Sequence, residues 1–159
     1  MPPAAVPAAH PCGAVRAGAS GDISPRPGEP SNARIAWSST KACPEMASPL
    51  LYKDHLYILM QNTVLLMCLD ARTGREVYRE RLKRAKSFTS SPWAHDGKLY
   101  CLDEDGQTFV VKAGPRFELL GKNVIKDLFW STPALSEDGL YLRGADRLYC
   151  IRCGETTER

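Results

Sequence analysis

The sequence predicts an all-β protein: a partial β-propeller of about three four-stranded antiparallel blades, preceded by a disordered N-terminal tail. The first observation is a phrase that occurs three times, a Ser or Thr followed by Pro, six further residues and Leu-Tyr. The second is its spacing, since the prolines lie 43 and 41 residues apart and a propeller blade takes about 40–45 residues. The third is that each period holds short apolar segments separated by turn residues. The repeated prolines and tyrosines are Pro49, Pro92, Pro133, Tyr57, Tyr100 and Tyr141.

The N-terminal part of the chain differs in composition from the rest. Seven of the 12 prolines fall within the first 30 of the 159 residues, among Ala, Gly and Ser and without a periodic apolar pattern. Such a segment buries too little apolar surface to offset its ordering entropy, so we expect a disordered tail over 1–33 and a propeller domain over 34–154. The prolines also interrupt any apolar core of an export signal, and no stretch approaches the ~18 apolar residues of a membrane span.

Alignment of the three repeats assigns up to four strands, a to d, to each blade. Strand a holds the proline, which is tolerated at the start or edge of a strand because no ladder donor is needed there. Turns containing Asp or Asp-Gly lead to strand b. Strand c is a continuous apolar run, as over 64–69, which indicates that both faces of the blade are covered. Blades are predicted at 47–84, 88–122 and 130–153, with an extra strand d at 34–39.

The predicted strands do not make whole blades at the two ends. Their order is d, abcd, abcd, abc, which sums to twelve strands, or three blades' worth. Propellers usually have four to eight blades, and three would leave sheet edges unpaired. We therefore expect a piece of a larger propeller, because a start inside a ring needs no special assembly. The alternative is a protomer that completes its ring as a homo-oligomer.

One stretch, from Cys68 to Tyr78, carries a recognisable motif and reads CLDARTGREVY. It resembles the repeat of the PQQ-like (pyrroloquinoline quinone-like) β-propeller family, whose pattern is Ala-x-Asp-x-x-Thr-Gly-x-x-x-Trp. Asp70, Thr73 and Gly74 match this pattern, whereas Cys68 stands for the Ala and Tyr78 for the Trp. We expect Asp70 and Thr73 to hydrogen-bond the c–d turn, Gly74 to adopt a positive φ, and the aromatic ring to wedge between neighbouring blades. The resemblance covers roughly 35–154.

The resemblance implies one of two functional branches. Quinoprotein dehydrogenases hold pyrroloquinoline quinone (PQQ) and Ca²⁺ on the ring axis, with a disulfide between adjacent cysteines and an Asp base, but no two cysteines are adjacent in this chain. The BamB-like branch, named for an outer-membrane assembly lipoprotein, keeps the ring and binds partners through its loops. We interpret the chain as a non-catalytic binding scaffold of the second branch. The alternative is a part of a PQQ-dependent dehydrogenase that lacks its active-site portion.

These interpretations carry expectations about cofactors, partners and compartment. No cofactor is expected, and PQQ with Ca²⁺ would be needed only under the dehydrogenase alternative. The partner is a protein or the remaining propeller blades. The resemblance implies a periplasmic or extracellular protein, although the sequence shows no export signal.

The cysteines are interpreted mainly as small buried side chains. Cys68 and Cys150 occupy the repeat position of Val110, and Cys101 stands where the other repeats have Ile or Leu. Interchange with aliphatic residues marks these three as buried hydrophobes rather than disulfide partners. Cys150-x-x-Cys153 resembles half of a metal site, but a second ligand pair is absent from the sequence, so a structural role is favoured.

Other candidate sites have simpler explanations. The acidic turn 103–106 suggests calcium, but Cys101 stands where an EF-hand needs a ligand, so a b–c hairpin turn is favoured. His55 and His95 lie in or beside a–b hairpins without a nucleophile at a meaningful spacing. We therefore assign no catalytic, cofactor-binding or metal-ligating residue. A net charge of +3 and one basic run at 79–86 indicate a solvated strand edge rather than a nucleic-acid footprint.

Overall fold

The structure, a computed structural model, describes residues 12–24, 29 and 31–152. Within these ranges the chain forms 13 strands in four antiparallel sheets. The N-terminal sheet is β1 Cys12–Val15 and β2 Ile35–Ser39. Blade 1 is β3 Leu50–Tyr52, β4 His55–Leu59, β5 Leu65–Asp70 and β6 Glu76–Arg81. Blade 2 is β7 Trp93–His95, β8 Lys98–Leu102, β9 Gln107–Lys112 and β10 Leu119–Val124. Blade 3 is β11 Ala134–Ser136, β12 Gly139–Arg143 and β13 Leu148–Ile151.

Each blade is a simple meander in which consecutive strands pair, so the partial propeller predicted from the repeat is confirmed. Strand register shows the repeats in phase: Tyr57 lies opposite Cys68, Tyr100 opposite Val110, and Tyr141 opposite Cys150. In the first two blades strand b has the bounds predicted for it, 55–59 and 98–102, but strand a begins at Leu50, Trp93 and Ala134 rather than at the predicted positions 47, 91 and 132. The residue before each proline hydrogen-bonds to a neighbouring blade instead.

The first strand, β1, departs from the tail predicted over 1–33. Its four residues pair with β2, and Ala14 lies opposite Trp37 much as Cys68 of strand c lies opposite Tyr78 of strand d in blade 1. The N-terminal sheet therefore corresponds to the c–d half of a blade that precedes blade 1. Its small residues show no alternating apolar pattern, but a strand forms there because the inner edge of β2 needs backbone partners. Residues 1–11, 25–28 and 30 of the predicted tail lie outside the described residues.

Side-chain alternation along β4 and β5 divides the core into layers between the sheets. Tyr57 and Leu66 face blade 2, whereas Ile58 and Met67 face the N-terminal sheet. A third apolar layer lies between blades 2 and 3 and contains Phe129. Blades 1 and 2 are thus covered on both faces, as the continuous apolar run of strand c predicts. None of the described residues belongs to a helix long and apolar enough to cross a membrane.

Leu66 and Leu148 occupy the same repeat position in blades 1 and 3, but they are 0% and 71% exposed. Replacement of Leu66 by Ala removes packed atoms between blades and is expected to lower the free energy of unfolding by ~3 kcal/mol. Leu148→Ala is the matched control and should change it by less than ~0.5 kcal/mol. Urea unfolding followed by tryptophan fluorescence measures both, and equal losses would contradict the layered core.

Candidate interaction surface

The Ser or Thr before each repeated proline connects one blade to the next. The N–H of Ser48 donates to the hydroxyl of Ser91 at 2.9 Å, and the N–H of Ser91 donates to the hydroxyl of Thr132 at 2.9 Å. A parallel bond joins the Ser90 hydroxyl to the Ser131 carbonyl at 2.8 Å. We call the first two bonds the Ser/Thr ladder. Because it brings the starts of successive strands a together, the axis of the propeller lies along these inner strands.

The ladder also explains the repeated prolines. Each strand a starts after its proline, and the residue before the proline hydrogen-bonds to a neighbouring blade. Pro92 and Pro133 are buried, whereas Pro49, which follows the first residue of the ladder, is exposed. The repeated phrase is therefore an inter-blade connection as well as a tolerated strand start.

The c–d turn of blade 1 is held by the motif residues. One carboxylate oxygen of Asp70 accepts from the Thr73 hydroxyl at 2.7 Å and from the N–H groups of Thr73 and Arg72 at 2.9 and 3.2 Å. These bonds, with the Thr73 hydroxyl first, hold the pKa of Asp70 below its ordinary value. Gly74 closes the turn by donating to the Asp70 carbonyl at 2.9 Å, with a φ of 71°. A carboxylate and a positive-φ residue are both needed for this shape.

The aromatic ring that docks on this turn comes from the preceding sheet. The indole N–H of Trp37, on β2, donates to the Ala71 carbonyl at 3.0 Å. A Cβ on Gly74 would lie 2.4 Å from Trp37 Cδ2, so only Gly lets the ring approach so closely. Sequence reasoning placed Trp37 on a strand d but did not find its partner. The signal was available, because Trp37 precedes Tyr78 by the same 41 residues that separate the later repeats.

Tyr78 repeats this arrangement one blade further on. From β6 its ring lies 5.9 Å from that of Phe117, edge to face. Its hydroxyl is buried and has no hydrogen-bond partner among the described residues. Burial, reinforced by the thiol of Cys68, raises the pKa of Tyr78 far above its ordinary value. The ring therefore packs as an apolar group between the blades. Tyr78 stands where the family pattern has Trp, and it keeps this packing but donates no hydrogen bond to the turn.

The repeated tyrosines of strand b differ in environment from blade to blade. The Tyr57 hydroxyl, which is buried, accepts from the Gly114 N–H of blade 2 at 2.9 Å, and burial raises its pKa to about 12. Tyr100 stacks on Trp93 with ring centroids 5.4 Å apart. Tyr141 has no following blade in the structure, and its hydroxyl instead donates to Asp138 at 2.9 Å. The same side chain is thus an inter-blade contact in blade 1 and a surface group in blade 3.

This difference marks the outward side of blade 3 as the candidate interaction surface. We call it the open face and define it by Thr132, Tyr141, Arg143, Leu148 and Cys150. Leu148 is 71% exposed where Leu66 is 0% exposed, and Cys150 is exposed where Cys68 is 0% exposed. The N–H of Thr132, equivalent to that of Ser91, makes no hydrogen bond to the described residues. Beside it, the exposed Trp130 lines a cavity of about 270 Å³ with Arg143.

The acidic turn of blade 2 has a structural role. Asp103 is 0% exposed and accepts from the N–H groups of Gln107 and Lys86 at 2.7 and 3.0 Å, which ties the turn to the loop before the blade. Burial raises the pKa of its carboxyl. Gly106 has a φ of 81°, and a Cβ there would lie 1.9 Å from the Ile125 carbonyl oxygen. The residues therefore fit a hairpin turn, as the sequence predicts.

The described residues contain no group of three or more His, Cys, Asp or Glu side chains arranged to hold a metal ion. His95 lines a cavity of about 430 Å³ with Glu137, Asp138 and Arg152, where Arg152 and Asp138 form an exposed ion pair at 2.8 Å. Cys68 and Cys101 are buried, and burial raises their pKa values to about 11 and about 12. Neither cysteine is activated as a nucleophile; Cys153 lies outside the described residues.

Comparison with known proteins finds similarity in structure only. No protein-family model and no curated protein matches the sequence. BamB from Moraxella catarrhalis matches with a TM-score of 0.60 and 17% identity, over 75% of this chain and 37% of BamB. Quinohemoprotein alcohol dehydrogenase ADHIIG from Pseudomonas putida HK5 matches with a TM-score of 0.55 and 14% identity, over 69% of this chain and 24% of the enzyme. The chain has a partial β-propeller fold. The resemblance to PQQ-like propellers is confirmed at the level of the fold, and the chain spans well under half the length of either protein.

Gly74 and Gly97 form a matched pair, since both have a φ of 71° but only Gly74 faces a side chain, that of Trp37. Gly97→Ala should lower the free energy of unfolding by ~1 kcal/mol through backbone strain alone. Gly74→Ala should cost at least ~1 kcal/mol more, because the indole must move off the turn. In a Trp37→Ala background this excess should disappear. Equal costs in the two single variants, measured by urea unfolding, would contradict the docking of Trp37 on the turn.

The Ser/Thr ladder can be tested at the two residues of its first bond, Ser48 and Ser91. Ser91→Ala removes the acceptor of the Ser48 N–H and should lower the free energy of unfolding by ~1 kcal/mol. Ser48→Ala removes a hydroxyl that has no hydrogen-bond partner among the described residues, so its effect should stay within ~0.5 kcal/mol. Thermal unfolding of both variants decides the matter. A Ser48→Ala variant as destabilised as Ser91→Ala would show that the hydroxyls act locally rather than between blades.

Proposed function

We propose that the chain is a non-catalytic segment of a PQQ-like β-propeller, a binding scaffold whose open face docks a further PQQ-like blade. One observation carries this proposal: positions that are buried between blades 1 and 2 are exposed on blade 3. Exposed apolar side chains on a regular, preformed sheet are typical of an interaction surface. The proposal extends to the absence of bound PQQ and Ca²⁺, and it is supported for the metal because the described residues contain no group of three or more His, Cys, Asp or Glu side chains that could hold an ion.

The polar groups of the open face specify the chemistry of its partner. The Thr132 N–H needs an acceptor, which blade 2 supplies to blade 1 as the hydroxyl of Ser91. The Tyr141 hydroxyl occupies the place of Tyr57, which accepts from a turn N–H of the next blade. Leu148 and Cys150 need apolar cover. A blade that begins with Ser/Thr-Pro supplies all of these at once.

A second copy of this chain is a poorer partner for the open face. Among the residues that the structure describes, the N-terminal sheet, which a second copy would present, has two strands, and these correspond to c and d. It therefore has no strand a beside Thr132 and no strand b beside Tyr141. The partner that we propose is a complete blade of a larger propeller, consistent with a chain that covers 37% of BamB.

The proposal is tested by an extended protein in which a copy of residues 70–124 follows residue 151. This copy offers a strand d to blade 3 and a complete further blade to the open face. Hydrogen exchange of the Leu148–Ile151 amides, measured by mass spectrometry, should slow by at least ~10-fold relative to the original chain. The matched control carries Leu99→Asp in the copy only, because Leu99 is fully buried against the preceding blade. Unchanged exchange in an extension whose added strands fold would contradict the proposal, as would a discrete closed oligomer of the original chain.

The dehydrogenase alternative is tested separately. The full chain is mixed with PQQ and Ca²⁺ and assayed for dye-linked oxidation of alcohols and sugars. We expect no turnover above that of free PQQ and no quenching of tryptophan fluorescence. Turnover that saturates with PQQ would overturn the non-catalytic assignment and leave the docking experiment unaffected.

A further inference from the structure

Two cysteines outside the repeat lie together at the end of the N-terminal sheet. The N–H of Cys12, at the start of β1, donates to the sulfur of Cys43 at 3.2 Å. The thiol of Cys43 in turn donates to the carbonyl of Ser39 at 3.3 Å, and Ser39 is the register partner of Cys12. The segment after β2 therefore folds back so that Cys43 lies over the last pair of the sheet.

The sulfur of Cys43 lies close to the second cysteine. It is 3.2 Å from the backbone nitrogen of Cys12. Neither cysteine belongs to the buried repeat positions of Cys68 and Cys101, and both are partly exposed. Because the Cys43 sulfur already lies against the Cys12 backbone, rotation of the two side chains can bring their sulfurs together without a large movement of the backbone.

We propose that Cys12 and Cys43 form a structural disulfide that fastens β1 to the segment following β2. The step is a thiol–disulfide exchange with a small-molecule disulfide such as oxidised glutathione. Each thiol gives up a proton, the pair loses two electrons as the sulfur–sulfur bond forms, and the oxidant is reduced to two thiols. No other residue of the chain takes part in the exchange.

The position of this disulfide suits it to stabilise the N-terminal sheet. A two-stranded sheet is marginally stable by itself. Here the N-terminal sheet covers, through Trp37, the face of blade 1 that points away from blade 2. Cys12 and Cys43 are 31 positions apart, so a bond between them constrains a long loop of the unfolded chain. It would hold β1 on β2 and thereby keep the docking indole in place.

The electrostatics favour a structural bond over a rapid switch. Burial first, and then the contact with Cys43, raise the pKa of Cys12 to about 11. Little thiolate is present at neutral pH, so uncatalysed exchange is slow. A disulfide of this kind persists in oxidising compartments, which agrees with the periplasmic or extracellular location that the PQQ-like resemblance implies.

The test uses the full chain with Cys150→Ser and Cys153→Ser, which removes the competing C-terminal pair. After equilibration with oxidised glutathione, peptide mapping without reductant should show Cys12 joined to Cys43 and the protein lighter by two hydrogens. The thermal midpoint should rise by about 5 °C or more and return to its starting value when dithiothreitol is added.

Cys43→Ser in the same background is the matched control and should show no response of the midpoint to oxidant. If Cys12 and Cys43 both remain alkylatable after equilibration, the proposal is wrong. It is equally wrong if Cys12 is found only as a mixed disulfide with glutathione, or if the bond forms without raising the midpoint.

Discussion

Blades 1 and 2 are sheets with two apolar faces, and one sheet of four strands can cover neither face by itself. Each face is covered only by the sheet that precedes or follows it in the chain. In blade 1 the alternation of Tyr57 and Leu66 with Ile58 and Met67 assigns one set to each neighbour, and all four side chains are at most 2% exposed. Removal of apolar surface from water on both sides is the main stabilising term available to such a blade. The rest of the structure depends on this requirement for neighbours.

The polar contacts set the relative positions of blades that apolar packing alone would leave free to slide. At the inner edge the Ser/Thr ladder fixes strand a against strand a with one bond per blade. At the outer half, Trp37 reaches across to the turn that Asp70, Thr73 and Gly74 hold in shape. A shift of one sheet against the next would break these directional bonds, so together with the apolar packing they fix the register between neighbouring sheets. The Ser/Thr-Pro segment thus connects the inner strands of neighbouring blades, and the c–d turn with its docking aromatic ring connects the outer strands.

Much of the fold follows from local sequence signals, and the exceptions have physical causes. The positive φ of Gly74 and the bounds of strand b in blades 1 and 2 follow from turn chemistry and apolar alternation, both properties of adjacent residues. The contacts made before strand a do not, because the N–H of Ser48 bonds to a residue 43 positions away. Strand β1 is not predicted because Cys12–Val15 has no alternating apolar pattern and is held by distant partners, its pairing with β2 and the contact with Cys43. The open face can be recognised only from the strand register, because the register shows that Leu148 is the equivalent of Leu66.

Two equivalent cysteines of the chain test directly whether a blade face is buried only when a further blade lies against it. Cys68 and Cys150 occupy the same position in blades 1 and 3, one buried beneath blade 2 and the other exposed on the open face. The measurement is the rate of native-state alkylation of each thiol in a protein whose other four cysteines are replaced by Ser or Ala. We expect Cys150 to react as a solvent-exposed thiol does, and Cys68 to react only as the protein unfolds, more slowly by at least ~100-fold. Comparable rates for the two cysteines would contradict this expectation.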